Sequence, residues 1–261
     1  MLRTRVISAV ILAPLFLGLI YLGFPYFHLL LAVIAAIMAW EFSTMDGREG
    51  RKRRVFTVLA AAAAVGATAL LGFVAGLTII LATTIAKVVS DQAAGRSGFY
   101  LVQAAIPYVA LPAITLLFVY ASGGADSIYW ILAVVWGTDI GAYAFGRLIG
   151  GPKLAPAISP KKTWAGAAGG LICGTGAAAG VMAALNMPLT LPMFGVAVLA
   201  SLAAETGDLL ESALKRWYDV KDSGTLIPGH GGLMDRFDGL WAAAPVAALF
   251  CVIFDGGVHR W

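Results

Sequence analysis

Nine continuous apolar runs, most of them about twenty residues long, constrain this chain more than any other feature. Each run is long enough, or nearly so, to cross the ~30 Å hydrocarbon core of a bilayer as a helix. Strands of a membrane barrel would alternate apolar and polar residues, and these runs do not. The chain is therefore predicted to be an all-α polytopic membrane protein with spans at about 6–23, 26–44, 55–71, 73–89, 99–120, 127–147, 164–186, 191–211 and 237–256.

Composition excludes a soluble domain, because 60% of the 261 residues are hydrophobic and only 12% are charged. Soluble domains carry about 25% charged residues. The two cysteines, Cys173 and Cys251, both fall inside apolar runs, which favours small buried side chains over a disulfide or metal pair. We expect a single membrane domain over 1–261, with N-terminal helices to about 125 and a catalytic half from about 126 to 261. The first run is expected to stay as a membrane helix, since no clear cleavage site follows it.

The positions of the lysines and arginines predict the orientation, because positive charge concentrates on the cytoplasmic side. With nine spans and the N-terminus inside, seventeen of the eighteen cations fall inside and only Arg260 falls outside. The pattern predicts an N-in, C-out protein of the bacterial inner membrane. The basic loop at 46–54 is interpreted as part of this signal, lying on anionic headgroups.

A first polar segment, Thr138–Arg147, places a carboxylate inside a predicted span. Asp139 is costly there, so it needs a partner and indicates a function. Asp139, Tyr143 and Arg147 are spaced by four and share one helix face. The alternative is a carboxylate that only pairs with a neighbouring helix.

A second segment, the loop at 150–163, offers lysines beside hydroxyl groups, which suits phosphate oxygens. Thr163 is also expected to cap the helix that follows, which would place a helix N-terminus near phosphate. Taken alone, the loop is equally typical of a solvated cytoplasmic loop. Its candidate residues are Lys153, Ser159, Lys161, Lys162 and Thr163.

A third segment, residues 205–238, carries the most informative pattern. Glu205, Asp208, Ser212 and Lys215 recur at spacings of three and four, so one helix face holds acids and then a base. The run PGHGG follows, and its glycines allow close backbone approach and an anion-binding nest.

Mixed acids and bases at a membrane surface indicate phosphoryl-type chemistry. Mg²⁺ is bound by one or two carboxylates, waters and substrate phosphates, and Asp208, Asp235 and Asp238 have this character. The alternative is that these acids only pair with Lys215, Arg216 and Arg236. His230 is either an acid or base or a loop hydrogen-bonding residue.

Residues 212–238 resemble the signature of the phosphatidate cytidylyltransferase (CDP-diacylglycerol synthase) family. The pattern is S-x-x-K-R, four residues, K-D, then P-x-H-G-G and D-R-x-D. The TD-x-x-AY-x-x-GR and SPKKT runs also look like family segments, and Ala165 departs from the glutamate expected there. The matching signature positions are Ser212, Lys215, Arg216, Lys221, Asp222, Pro228, His230, Gly231, Gly232, Asp235, Arg236 and Asp238.

The resemblance implies transfer of a cytidylyl group from CTP to phosphatidic acid at the cytoplasmic face, with Mg²⁺ as cofactor and K⁺ as an example of a second cation. The implied catalytic residues are Asp208, Lys215, Arg216, Asp235 and Asp238, with the three aspartates near metal. The implied CTP- and phosphate-binding residues are Ser159, Lys161, Lys162, Thr163, Lys221, Asp222, His230, Gly231, Gly232, Arg236, Asp139 and Arg147.

Other functions stay open at this point. A CDP-archaeol synthase or a CTP-dependent lipid kinase would share the nucleotide site, and an anion transporter would explain charges in helices. A transporter site is expected near the midplane between repeats, whereas these charges gather at one face. The expected partners are membrane lipid and no nucleic acid. Gly- and Ala-rich faces such as 165–180 leave a homodimer open.

Overall fold

Eight long helices and one small hairpin make up the computed structural model, which describes residues 2–45, 47, 49–95, 101–226 and 231–261. The helices are α1 (Leu2–Leu22), α2 (Tyr26–Met45), α3 (Arg51–Leu71), α4 (Phe73–Ala93), α5 (Ala105–Leu148), α6 (Trp164–Ala184), α7 (Leu191–Trp217) and α8 (Met234–Ile253). Short 3₁₀ helices lie at Leu101–Ala104 and Val258–Arg260, and the strands are β1 (Lys153–Ala155) and β2 (Ser159–Thr163).

The predicted all-α membrane fold is confirmed in its coarse form. Seven helices of the described residues, α2 to α8, are long and apolar enough to span a membrane, and α1 contributes a shorter apolar stretch, Val10–Leu22. The predicted division of 55–89 is confirmed, because Gly72 separates α3 from α4 with a φ of 94°. The nine-span count and the N-in, C-out orientation stay predictions; Arg48, Arg96 and residues 99–100, on which they partly rest, lie outside the described residues.

Helix α5 joins two predicted spans, 99–120 and 127–147. Its 44 residues would extend about 66 Å as a straight helix, twice the bilayer core. The backbone is non-helical at Gly123 and Gly124, and Gly124 has a φ of 65° that glycine adopts readily. The helix is therefore kinked where the sequence predicts a connection between spans.

The segment predicted as a loop at 150–163 contains an antiparallel hairpin. Strand β1 pairs with β2, with Lys153 opposite Thr163 and Ala155 opposite Ser159. Thr163 then caps α6, as predicted: its Oγ1 accepts a hydrogen bond from Gly166 N at 3.1 Å. The hairpin matters for function because strand alternation sends adjacent lysines to opposite faces.

The chain forms two compact units. The first comprises residues 1–117 and 222–236, and the second comprises residues 118–221 and 237–261. The Asp222–Arg236 segment thus belongs with the N-terminal helices, although it is distant from them in sequence. The predicted single domain with a catalytic half at 126–261 stays a prediction.

Buried ion pairs hold the polar ends of the helices in the first unit. Lys87 Nζ lies 2.7 Å from Glu49 Oε1 and donates to Thr57 Oγ1 at 2.8 Å. The Lys87 and Glu49 side chains are 2% and 1% exposed. Arg53 pairs with Asp91 in the same region. These contacts connect α3 and α4, which also pack along their length.

Small residues let the helices of the second unit approach closely. A Cβ on Gly174 of α6 would lie 3.0 Å from Val134 O on α5 and 3.2 Å from Ser201 Oγ on α7. Thr138 Oγ1 and Ser201 Oγ are 2.8 Å apart across the same contact. Glycine at such positions permits the dense packing that holds helices together without a hydrophobic driving force. Both cysteines are free, as predicted.

The buried Lys87–Glu49 pair generates a stability prediction. We expect Lys87→Met to lower the free energy of unfolding by about 3–5 kcal/mol, because Glu49 would be left buried without its partner. The double variant Lys87→Met/Glu49→Leu should lie within about 1 kcal/mol of the unmodified protein. Denaturant or thermal unfolding in one detergent measures both. The exposed Lys52→Met is the matched control, and a double variant as unstable as Lys87→Met would contradict this account.

Candidate active site

Four carboxylates gather in the second unit from three different helices. Helix α5 contributes Asp139, α7 contributes Glu205 and Asp208 one turn apart, and α8 contributes Asp238. Asp139 and Asp208 each lie within electrostatic range of both Glu205 and Asp238. Acids from α5 and α8 therefore join the predicted acidic face of α7. The cluster contains more carboxylates than the spacing along α7 alone predicts.

The hairpin directs one lysine into this cluster. Lys162 Nζ lies 2.7 Å from Asp208 Oδ2 and 3.4 Å from the backbone oxygen of Glu205. Asp208 keeps 37% of its side chain exposed, so the pair is open to a ligand. Lys161 precedes it on β2 and is exposed. Of the two adjacent lysines, the one that belongs to the acidic cluster is Lys162.

A glycine on α7 brings α8 close enough to contribute its acid. A Cβ on Gly207 would lie 2.7 Å from the backbone oxygen of Asp238. Gly239 on α8 in turn faces Ala204, to which a Cβ would come within 3.4 Å. Asp238 Oδ1 accepts the N–H of Gly239 at 2.8 Å. Close backbone packing therefore holds Asp238 beside Asp208.

The end of α7 holds the predicted base. Lys215 Nζ lies 3.1 Å from Glu211 Oε1, and the Glu211 side chain is fully buried. Ser212 Oγ donates to Asp208 Oδ1 at 3.4 Å. Lys215 is also within electrostatic range of Asp238. Ser212 thus contacts Asp208 one turn away, as the spacing predicts, and Lys215 pairs with Glu211, the acid beside that face.

Asp235 lies in the first unit and organises the backbone around it. Its Oδ2 accepts hydrogen bonds from Gly232 N at 2.9 Å and from Ser223 N and Ser223 Oγ, both at 3.0 Å. Gly231 has a φ of 83°. The glycine run was predicted to bind an anion through its N–H groups. In the structure, the Gly232 N–H binds a carboxylate of the chain itself, that of Asp235.

A glutamate from α2 meets the same segment. Glu41 is 4% exposed, and its Oε1 and Oε2 accept the N–H groups of Leu233 and Met234 at 2.8 and 2.9 Å. Ser223 Oγ lies 3.3 Å from Oε2, so its one proton can bond this glutamate or Asp235. Glu41 is absent from the sequence-predicted site. The sequence did contain a signal for Glu41. Like Asp139, it is a carboxylate within an apolar span and therefore needs a partner.

Most of the other predicted site residues lie on exposed surface. Arg147 donates to Tyr143 Oη at 2.8 Å, and Arg216 donates to Val220 O at 3.2 Å. His230 lies outside the described residues. Those that the structure places as exposed are Lys221, Asp222 and Arg236, and Ser159 is half-buried. Their predicted roles, like those of Gly231 and Gly232, stay predictions.

The chemistry of the second-unit cluster fits a divalent cation. Its four carboxylates outnumber the lysines that reach them, Lys162 and Lys215. Glu205 Oε1 is buried without a hydrogen-bond partner among the described residues. No three His, Cys, Asp or Glu side chains in the described part of the chain are arranged as a metal cage. Mg²⁺ does not require one, since one or two carboxylates with waters and substrate phosphates complete its shell.

An apolar helical fold with carboxylates beside lysines is the arrangement expected of a membrane-embedded enzyme that handles phosphate groups. Comparison with known proteins agrees. Residues 3–254 match the model of the cytidylyltransferase family. The chain therefore belongs to the cytidylyltransferase family.

Relatives of known name match nearly the whole chain. The phosphatidate cytidylyltransferase of Brucella suis biovar 1 is 38% identical over 97% of this chain and 94% of its own length. The phosphatidate cytidylyltransferase of Pseudomonas aeruginosa is 34% identical over 95% and 96%. That of Bacillus subtilis is 40% identical over 51% of this chain and 49% of its own.

The close approach of α7 and α8 generates a second prediction. Gly207→Ala places a methyl group 2.7 Å from the Asp238 oxygen, so the helices must separate. Overpacking of this kind costs about 1–3 kcal/mol. We expect a lower unfolding temperature in detergent. Gly195→Ala on the same helix is the control, because nothing lies within 4 Å of its Cβ; equal effects in the two variants would contradict the packing argument.

Proposed function

We propose that this protein transfers the cytidylyl group of CTP to phosphatidic acid, releasing pyrophosphate and giving CDP-diacylglycerol. The observation that carries the proposal is the full-length similarity to two relatives named phosphatidate cytidylyltransferase. The acidic cluster with Lys162 supplies chemistry suited to this reaction. It combines a cation for phosphate oxygens with carboxylates for a divalent ion.

The reaction makes one phosphorus–oxygen bond and breaks another. An oxygen of the lipid phosphate attacks the α-phosphorus of CTP, and the bond from that phosphorus to the bridging oxygen of the β-phosphate breaks. The electron pair leaves with pyrophosphate. The lipid phosphate is already ionised near neutral pH, so no general base is required. The work of the protein is to position two anions and to stabilise the charge that develops on the leaving group.

Basic side chains of the chain are suited to hold these anions. Lys162 lies closest to the acidic cluster, and Lys215 stands at the end of the same helix face. Exposed cations bind phosphate oxygens by charge-assisted hydrogen bonds. We assign phosphate binding to Lys161, Lys162, Lys215, Arg216, Lys221 and Arg236, with Ser159, Thr163, Gly231, Gly232 and His230 beside them and Asp139, Arg147 and Asp222 completing the charge network.

Asp208, Asp235 and Asp238 are proposed to hold Mg²⁺, with a second cation such as K⁺ as a further component. When bound, the ion neutralises phosphate charge as pyrophosphate leaves. The fit rests on the excess of carboxylates over lysines around Asp208 and Asp238. Asp235 is included because it belongs to the signature at 212–238, and its own hydrogen bonds hold its segment in shape.

The proposed topology places this chemistry at the cytoplasmic face. Helix α1, the two parts of α5 and the other six helices would give nine crossings, and seventeen of eighteen cations would then lie inside. CTP reaches such a site from the cytoplasm and phosphatidic acid from the bilayer. Lys215 and Arg216, in the last turn of α7, also interact favourably with the dipole of that helix.

The proposed activity is tested with purified protein in detergent, labelled CTP and Mg²⁺, with and without phosphatidic acid. We expect pyrophosphate release and labelled cytidine in the lipid phase, both dependent on lipid and metal. Release of CDP with a newly phosphorylated lipid would instead identify a CTP-dependent kinase. Folded protein that leaves CTP intact with phosphatidic acid would overturn the proposal.

The adjacent lysines of β2 generate a third prediction. Lys162→Met and Asp208→Asn should each lower kcat about 10²–10³-fold, because each removes part of the electrostatic stabilisation. Lys161→Met should change kcat/KM by less than about tenfold, mainly through KM for CTP, because Lys161 is exposed and outside the acidic cluster. Steady-state kinetics on matched amounts of folded protein measure all three. Equal losses in the two lysine variants would contradict the assignment of Lys162 to the cluster.

A further inference from the structure

Glu41 is the one carboxylate of α2, and it connects this helix to a segment 182–193 positions further along the chain. Its two oxygens accept the N–H groups of Leu233 and Met234, and Oε2 also lies 3.3 Å from Ser223 Oγ, whose one proton can bond either Glu41 or Asp235. A buried charge is costly unless it is paired or hydrogen-bonded. These donors and the positive end of the helix dipole at the start of α8 provide that compensation.

The N–H groups that Glu41 accepts are those that a helix N-terminus leaves unsatisfied. Helices usually satisfy them with a Ser, Thr, Asp or Asn at the cap position, next to the helix in sequence. Helix α8, which begins at Met234, uses the side chain of a distant helix for this purpose. A cap from an adjacent residue would not connect two helices. Capping by Glu41 ties the start of α8 to α2.

Two glycines make room for the carboxylate. A Cβ on Gly232 would lie 2.7 Å from Glu41 Oε2, and a Cβ on Gly224 would lie 2.9 Å from Oε1. Any other residue at either position would collide with the glutamate. The last glycine of the PGHGG run is therefore explained by an internal carboxylate that occupies the space a side chain would need.

The same hydrogen bonds reach Asp235. Ser223 Oγ lies within hydrogen-bond distance of both Glu41 Oε2, at 3.3 Å, and Asp235 Oδ2, at 3.0 Å. Gly232 N donates to Asp235 Oδ2, and the next two N–H groups donate to Glu41. The two carboxylates thus lie on either side of one hydroxyl, whose single proton can bond only one of them at a time, and they bind three consecutive amides between them.

We propose that Glu41 is a positioning residue for cytidylyl transfer: it fixes the Ser223–Asp235 segment and the start of α8, and through them the orientation of the Asp235 carboxylate. The inference rests on the proposed function, which gives Asp235 its role. Glu41 itself touches no substrate in this account. Partners that orient a catalytic carboxylate typically change activity 10- to 100-fold when removed.

The test compares three variants of the full chain in detergent, with Mg²⁺, CTP and phosphatidic acid. Glu41→Gln keeps the shape but points an amide NH₂ at an N–H donor. Ser223→Ala removes only the shared hydroxyl. Ser43→Ala is the control, because Ser43 is fully buried on the same helix and its Oγ has no hydrogen-bond partner among the described residues.

We expect Glu41→Gln to lower kcat per folded molecule about 10- to 100-fold while KM for CTP changes less than about threefold. Ser223→Ala should lower kcat less, and Ser43→Ala should leave it unchanged. Amide hydrogen exchange of residues 232–236 should accelerate in Glu41→Gln and not in Ser43→Ala. A purely structural role would reduce the folded fraction without changing kcat per folded molecule.

Each outcome decides the inference. Retention of kcat within twofold by Glu41→Gln, in a protein whose unmodified form is active, overturns it. If Glu41→Gln does not fold, Ser223→Ala decides: a reduced kcat supports the inference and an unchanged kcat overturns it. If the unmodified protein is inactive, the proposed function is overturned instead. Unchanged amide exchange at residues 232–236 in Glu41→Gln would by itself overturn the positioning role.

Discussion

The need to satisfy every charge within an apolar protein is the constraint on which this structure depends. Water is absent from a hydrocarbon core, so an ionised side chain among membrane helices must find its partner in the chain. Lys87 does so with Glu49, Glu41 with the backbone at the start of α8, and Lys215 with Glu211. The first two contacts connect separate parts of the chain, whereas Lys215 and Glu211 pair within α7.

Hydropathy predicts the helices of this protein well, because span length is a property of contiguous residues. Runs of apolar residues located seven of the eight helices singly, with ends that differ by up to six residues, and a glycine marked the break between α3 and α4. The hairpin at Lys153–Thr163 was not predicted, since its strands are only three and five residues long and carry no apolar alternation. The hydropathy pattern also did not predict that two spans would join into the kinked α5.

The candidate site was predictable only where its residues share one helix. Spacing placed Asp208, Ser212 and Lys215 on one face of α7, and the structure confirms this. Spacing could not select Lys162 over Lys161, because the hairpin that separates them was unknown. Glu41 was missed because it lies about 180 positions before the segment that it contacts, and pairing over that distance leaves no periodic pattern.

Occupation of the Leu233 and Met234 amides by Glu41 has a consequence for affinity. Binding that must first order a loop loses part of its free energy to conformational entropy. In this segment the chain's own carboxylates already hold the backbone amides, so the ordering takes place during folding. For the proposed reaction, the interaction energy of CTP would then serve discrimination and turnover instead of assembling the site.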